Sequence, residues 1–157
     1  MWQVNDLYKE QFAAWAQAFP HVRLLSDGTL TNETRLGAVA CIRLACDAFS
    51  LRATDLLVIG GDTLYLADFS LCAVVAGFEA KRAALEGPSS LCFAYPCDDA
   101  GTTKHGIIEV APAGVVTAFL EKPGPLATAS RLASPCSYIF SPAALVSAVD
   151  AIFVDGN

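Results

Sequence analysis

Between residues 56 and 62 the chain reads Leu-Leu-Val-Ile-Gly-Gly-Asp, and this stretch constrains the fold more than any other. Its apolar run is short and unbroken rather than alternating, which marks a strand covered on both faces, as in the centre of a parallel sheet. Such a strand needs helices above and below it, and the flanking sequence supplies them. From Leu36, LGAVACIRLACDAF is apolar on most sides and predicts a well-buried helix. A second long helix is expected from a cap at Asp68 or Ser70 to the break at Gly87-Pro88. An earlier helix should span 5–19, capped by Asn5, carrying Leu7, Phe12, Trp15 and Phe19 at helical spacing and ended by Pro20.

The rest alternates in the same way. HVRLL (21–25), LCFAYP (91–96) and CSYIF (136–140) read as strands, and Ser141-Pro142 opens a last helix. GIIEV and VVTAFLEKP flank Ala-Pro-Ala-Gly, where Gly114 can take positive φ, so this pair reads as a hairpin. The expectation is an α/β protein, a three-layer α/β/α sandwich around a mostly parallel mixed sheet, in one domain over residues 1–157.

Composition narrows what such a fold would handle. Ten Lys and Arg against sixteen Asp and Glu give a net charge of -6, with no basic run for a nucleic acid to use. The longest apolar stretch, Leu71 to Phe78, falls well short of the roughly 18 residues of a membrane span. Residues 1–10 lack the basic and apolar regions of a secretory signal, so the expected location is the cytoplasm. The six cysteines form no Cys-x-x-Cys pair and the two histidines stand apart, which argues against zinc. Most of those cysteines sit among Ala, Leu, Val and Phe, as buried reduced thiols would.

In open parallel sheets, ligands gather beyond the carboxyl ends of the strands. Gly60, Gly61 and Asp62 stand at such an end. Two glycines let a phosphate or base approach the main chain, and a carboxylate there can hold a hard cation such as Mg2+. On position alone, Asp62 could equally cap the turn that follows.

VIGGDTLY, HGIIEVAPAGVVTAFLEKP and CSYIFSPAAL follow one another in an order that resembles the sugar nucleotidyltransferases, over about residues 22–150. RLGAVACI is similar to that family's nucleotide-side loop and helix. The resemblance implies a nucleotide-diphospho-sugar transferase fold of Rossmann-like type. It implies an enzyme that joins a sugar 1-phosphate to a nucleoside triphosphate with Mg2+: a sugar-phosphate oxygen attacks the α-phosphorus in line and pyrophosphate leaves. It places Asp62 on the metal, Lys122 on the sugar phosphate, Glu121 on sugar hydroxyls, the Gly106 N–H on the sugar and Gly37 against the base. Gly61 falls on the nucleotide side and Tyr138 forms part of the pocket wall. The implied partners are the two substrates, with no nucleic acid or membrane, and a homo-oligomer is compatible with them.

Each of these residues also has a structural reading. Lys122 could be a solvated residue before Pro123, and Glu121 could pair with a surface lysine for up to about 1 kcal/mol. Gly106 could serve a bulge or tight turn, and Gly37 a close helix contact. Arg35 could meet a phosphate or lie exposed beside a helix start. Asp98, Asp99 and His105 read as loop residues.

The sequence also departs from the family pattern. A first strand with a glycine-rich phosphate loop is expected before the helix at 5–19 and is not found there, and Asp155 alone is left as a second acid for the metal. The chain therefore reads as incomplete at its N terminus. A non-catalytic module that binds a sugar phosphate or a nucleotide is the alternative. A dehydrogenase-type or methyltransferase-type nucleotide-binding domain would explain VIGGD but neither the hairpin nor Glu-Lys-Pro.

Overall fold

A computed structural model of the chain describes residues 1–66, 68–84 and 87–151. They gather into two compact units, one of Met1–Thr54 with the segment from Ala144 onward, the other of Asp55–Ala143.

In the first unit, strand β1 (Trp2–Val4) pairs in parallel with β2 (Leu24–Ser26). Between them the Asn5 carboxamide accepts from the Tyr8 N–H and starts one 3-10 turn, followed by helix α1 (Lys9–Ala16). A strand thus precedes the first helix, which three residues reading Trp-Gln-Val were too short to announce. Asn5 follows it, where the family pattern implies a glycine-rich loop. Helix α1 buries no residue, and its apolar face is an aromatic ladder in which Trp15 meets Trp2 at 5.2 Å and Phe19 at 4.7 Å between ring centroids.

Helix α2 (Ala38–Phe49) starts after Gly37 at φ +80° and ends at Ser50 in the left-handed region. Only Ala45 and Cys46 of α2 are buried, although its sequence predicted deep burial. Helix α4 (Pro142–Ala151) contributes Leu145 and Val149 to buried positions, and Arg52 bridges Asp47 and Asp150 at 3.1 Å each.

The second unit holds two sheets. Strand β9 (Tyr138–Phe140) runs antiparallel between β3 (Leu56–Val58) and β4 (Ser90–Cys92). The row Leu57·Ile139·Leu91 packs with Phe78 of helix α3 (Leu71–Ala83) and with Phe93, Tyr65 and Phe69 into a core. Ser70 caps α3 by accepting from the Ala73 N–H, settling which of the two expected caps is used. The other sheet has the order β5 (Tyr95–Pro96), β8 (Leu132–Ser134), β6 (Gly106–Val110), β7 (Val116–Glu121), antiparallel throughout. The expected hairpin is β6–β7, with Gly114 at φ +80° in its turn and a bulge at Glu109/Val110.

These pairings correct the expected mostly parallel sheet, because β1·β2 is the only parallel pair among the described residues. An apolar run reports burial on both faces but not the direction of its neighbour. Here the neighbour is β9, a strand from far along the chain. The expectation of buried cysteines holds for Cys46 alone: Cys72 and Cys136 are exposed and the other three are half-buried.

Candidate active site

Within the second unit, the row beyond the core is Val58·Tyr138·Cys92, at the ends of β3 and β4 and the start of β9. From there a line of contacts crosses into the neighbouring sheet. The Tyr138 hydroxyl lies 3.3 Å from Ser134 Oγ, and Cys92 Sγ lies 3.5 Å from the same oxygen. Ser134 pairs with Gly106, and Gly106 pairs with Glu121 on its other side. With strands about 4.8 Å apart, Glu121 stands about 10 Å from Ser134 across the ladder.

Tyr138 is half-buried, and burial pushes its phenol above the usual range, opposed by the Ser134 bond and reinforced by the Cys136, Cys92 and Glu121 charges. It stays a neutral hydrogen-bonding group at ordinary pH. Burial likewise raises the Cys92 thiol, against the Ser134 bond.

Glu121 and Lys122 close this row as exposed side chains, with Lys122 Nζ 3.4 Å from Glu121 Oε1. Lys122 has φ +44°, one of three non-glycine residues with positive φ among those described. Successive strand side chains point to opposite faces, so a left-handed residue at the strand end redirects the one that carries the ammonium. Gly106 leaves room for a neighbouring ring: an added Cβ would stand 2.6 Å from Cε1 at the far end of the exposed Phe119 side chain and 3.6 Å from Glu121 Oε2. Because Gly106 has strand neighbours on both edges, the role implied for its N–H competes with the sheet.

Asp62 follows β3 in the turn Gly60–Thr63, closed by the Thr63 N–H donating to the Gly60 carbonyl at 3.1 Å. Thr63 Oγ1 donates to the Pro135 carbonyl at 3.3 Å, and the Tyr65 hydroxyl donates to Ser137 at 2.6 Å. The Asp62 turn is thereby seated on the segment next to Ser134. Asp62 itself is exposed, and no hydrogen bond or ion pair engages its carboxylate among the described residues, so it is not spent as a cap. Gly60 leaves room for it, since a Cβ there would lie 3.3 Å from Asp62 Oδ1. The set fits Mg2+ in one limited sense. No three acidic, His or Cys side chains converge among the described residues, but Mg2+ is commonly held by one or two carboxylates plus substrate phosphates. Asp155 lies outside the described residues.

The loop residues are structural, as their sequence suggested. Asp98 accepts from the Gly101 N–H at 2.8 Å, and His105 meets Tyr95 edge-on at 5.9 Å. Asp99 holds Arg131 at 2.7 Å. Arg131, which no motif marked, also donates to the carbonyls of Pro125, Thr128 and Ser130 and so fixes the loop that follows Lys122-Pro123.

The first unit carries a pocket of about 410 Å³ at the ends of β1 and β2 and the start of α2, lined by Gln3, Asp27, Arg35, Gly37 and Cys41 among others. Gly37 and Arg35 were marked by sequence; Gln3 and Asp27 were not, because they come to line one pocket only through the β1–β2 pairing. Gln3 Nε2 is buried without a hydrogen-bond partner among the described residues, a condition that costs about 1–3 kcal/mol. Its amide approaches the Cys41 thiol and favours the thiolate, although no well-formed hydrogen bond results; burial and the Asp27 charge outweigh it and raise that thiol.

A protein-family model described as Nucleotidyl transferase matches residues 7–154. Among solved structures, a Bacillus anthracis protein provisionally described as a glucose-1-phosphate thymidylyltransferase, in complex with sucrose, is similar with a TM-score of 0.67 at 14% identity, over 92% of this chain and 53% of that one. HddC from Yersinia pseudotuberculosis is similar with a TM-score of 0.54 at 19% identity, over 89% of this chain and 54% of that one. The chain thus spans about half the length of these proteins and shares their fold. No curated protein matches the sequence.

Proposed function

The chain belongs to the nucleotidyl transferase family, and we propose that, as one partial domain over residues 1–157, it serves transfer of a nucleotide from a nucleoside triphosphate to a sugar 1-phosphate in the cytoplasm. The observation that carries the sugar-phosphate side is the row Ser134·Gly106·Glu121, extended by Tyr138 at one end and by the left-handed Lys122 at the other. It offers what a phosphorylated sugar needs: a carboxylate to accept from hydroxyls, a neutral phenol as a wall that hydrogen-bonds, and an ammonium for the phosphate.

Glu121 accepts from sugar hydroxyls, and Gly106, whose missing Cβ leaves room for the Phe119 ring, lies beside it in the same row. Lys122 neutralises the sugar phosphate as its oxygen attacks the α-phosphorus. Asp62 offers the free carboxylate of the Gly60–Thr63 turn as the protein's ligand to Mg2+, with Gly61 leaving the main chain open to phosphate. When bound, the ion supplies charge neutralisation between phosphates. On the nucleotide side, Gly37 lies against the base and Arg35 stands by as a cation.

The test is pyrophosphate release by the full-length protein with Mg2+, over a matrix of nucleoside triphosphates and sugar 1-phosphates. Release that depends on both substrates supports the reading. A folded protein that binds a sugar phosphate without Mg2+ dependence and releases none would instead be a binding module.

A further inference from the structure

Phe119 stands half exposed on β7, two residues before Glu121, and so shares a strand face with it. It pairs with Ile108, one step diagonally from Gly106, and cross-strand diagonals of about 7–8 Å are within reach of an aromatic side chain. The ring takes that diagonal. The place a Gly106 Cβ would occupy lies 2.6 Å from Phe119 Cε1, 2.7 Å from its Cζ and 3.6 Å from Glu121 Oε2. The far edge of the ring and the carboxylate therefore converge on one point over Gly106, in the row that continues through Ser134 to the Tyr138 hydroxyl. No other ring and no cation stacks on Phe119 among the described residues. A lone exposed phenylalanine needs no explanation, but this one reaches into a row of polar groups, over a glycine that makes room for it.

We propose that Phe119 is the platform on which the pyranose ring of the sugar 1-phosphate rests, and that the site takes sugars presenting a C–H face. A pyranose is polar around its rim and apolar on the face where axial hydrogens gather. Those hydrogens carry partial positive charge from the neighbouring oxygens, and the negative face of an aromatic ring complements them. The same sugar needs an acceptor for the hydroxyls of its rim, and Glu121 Oε2 stands within 3.6 Å of the point that the ring edge also approaches. Lys122 follows at once, so the cation for the phosphate adjoins the acceptor. An aromatic face, a carboxylate and an ammonium within four consecutive residues match the three parts of a sugar phosphate: C–H face, hydroxyls and phosphate. This inference rests on the proposed sugar-phosphate reading and adds the part of the sugar that is recognised and the residue that recognises it.

Titration calorimetry of the full-length protein with glucose, galactose and mannose 1-phosphates, and with glycerol 1-phosphate as a phosphate without a ring, tests it. Phe119→Leu keeps apolar bulk and removes the aromatic face. It should weaken the tightest-binding hexose phosphate about 3- to 10-fold, the range of one aromatic contact, and change glycerol 1-phosphate by less than about 2-fold. Phe119→Tyr, which keeps the face, should bind that hexose phosphate within about 2-fold of wild type. Equal hexose phosphate affinity in Phe119→Leu and wild type overturns the assignment and leaves the sugar-phosphate reading intact. So does equal weakening of the hexose and glycerol phosphates, the mark of a structural role, or a Phe119→Tyr protein as weak as Phe119→Leu. A folded wild type that binds no hexose 1-phosphate overturns both.

Discussion

Lys122 leaves β7 at φ +44° with its ammonium 3.4 Å from Oε1 of the preceding Glu121. A lysine in the left-handed region costs about 1–2 kcal/mol, and the exposed ion pair returns no more than about 1 kcal/mol. Local stability does not explain a lysine here. Lys122→Gly should therefore leave the free energy of unfolding within about 1 kcal/mol of wild type, while kcat/KM for the sugar phosphate falls by about two orders of magnitude. Urea titration and steady-state kinetics check the two halves, and unchanged turnover would remove Lys122 from the site.

Gly106 lies under the Phe119 ring, so Gly106→Ala should destabilise by no more than about 1 kcal/mol, the low end for overpacking, because the ring that must shift is half exposed. Trimming the ring in Gly106→Ala/Phe119→Leu should recover part of that loss, because the clash is with Cε1 and Cζ of that side chain. Denaturation midpoints of the three variants decide it. Equal midpoints for the single and the double variant would show that the glycine serves something other than this contact.

Phe78 is 4% exposed and packs with Phe93 and Ile139, so Phe78→Ala should cost about 3–5 kcal/mol. A urea midpoint close to wild type would show that this cluster is not the core of its unit.

Burial raises the thiols of Cys41, Cys46 and Cys92 above 9.0 and the phenol of Tyr138 above 10.0. The folded state then holds these protons more tightly than the unfolded chain does, so their contribution is fully present below about pH 9 and is lost as pH rises through and beyond the unfolded values. Unfolding free energy should fall above about pH 9, and Tyr138→Phe should flatten the part of the fall above about pH 10. Urea midpoints across that range check the sign; a rise would contradict it. At neutral pH the exposed Cys72 and Cys136 should alkylate before Cys46, as peptide mass spectrometry would show.

Local chemistry was legible in the sequence wherever one segment decides its own shape. The Ser70 cap, the Gly114 turn and the Ser141-Pro142 helix start formed as read, while Asn5 caps a 3-10 turn ahead of α1 and not the α-helix expected over 5–19. Direction of pairing was not, because β9 inserts between β3 and β4 from far along the chain and its three residues carry no mark of their neighbours. Strands β1 and β8, also three residues each, were too short to show a period. Within the site, Glu121, Lys122, Gly106 and Tyr138 were legible through an ordered set of motifs, and the structure joins them through Ser134, which no motif marks. Gln3 and Asp27 stayed hidden because their place in the lining of one pocket follows from the β1–β2 pairing and not from their spacing.

Asp62 and Lys122 are proposed to act on the same phosphates, although no hydrogen bond or ion pair among the described residues joins them directly. A double-mutant cycle on kcat/KM with Asp62→Asn, Lys122→Ala and the pair measures this directly. Groups that serve one charged transition state are not additive, so the double variant should lose much less than the product of the two single losses. Fully multiplicative losses, or an Asp62→Asn enzyme as active as wild type, would contradict the account.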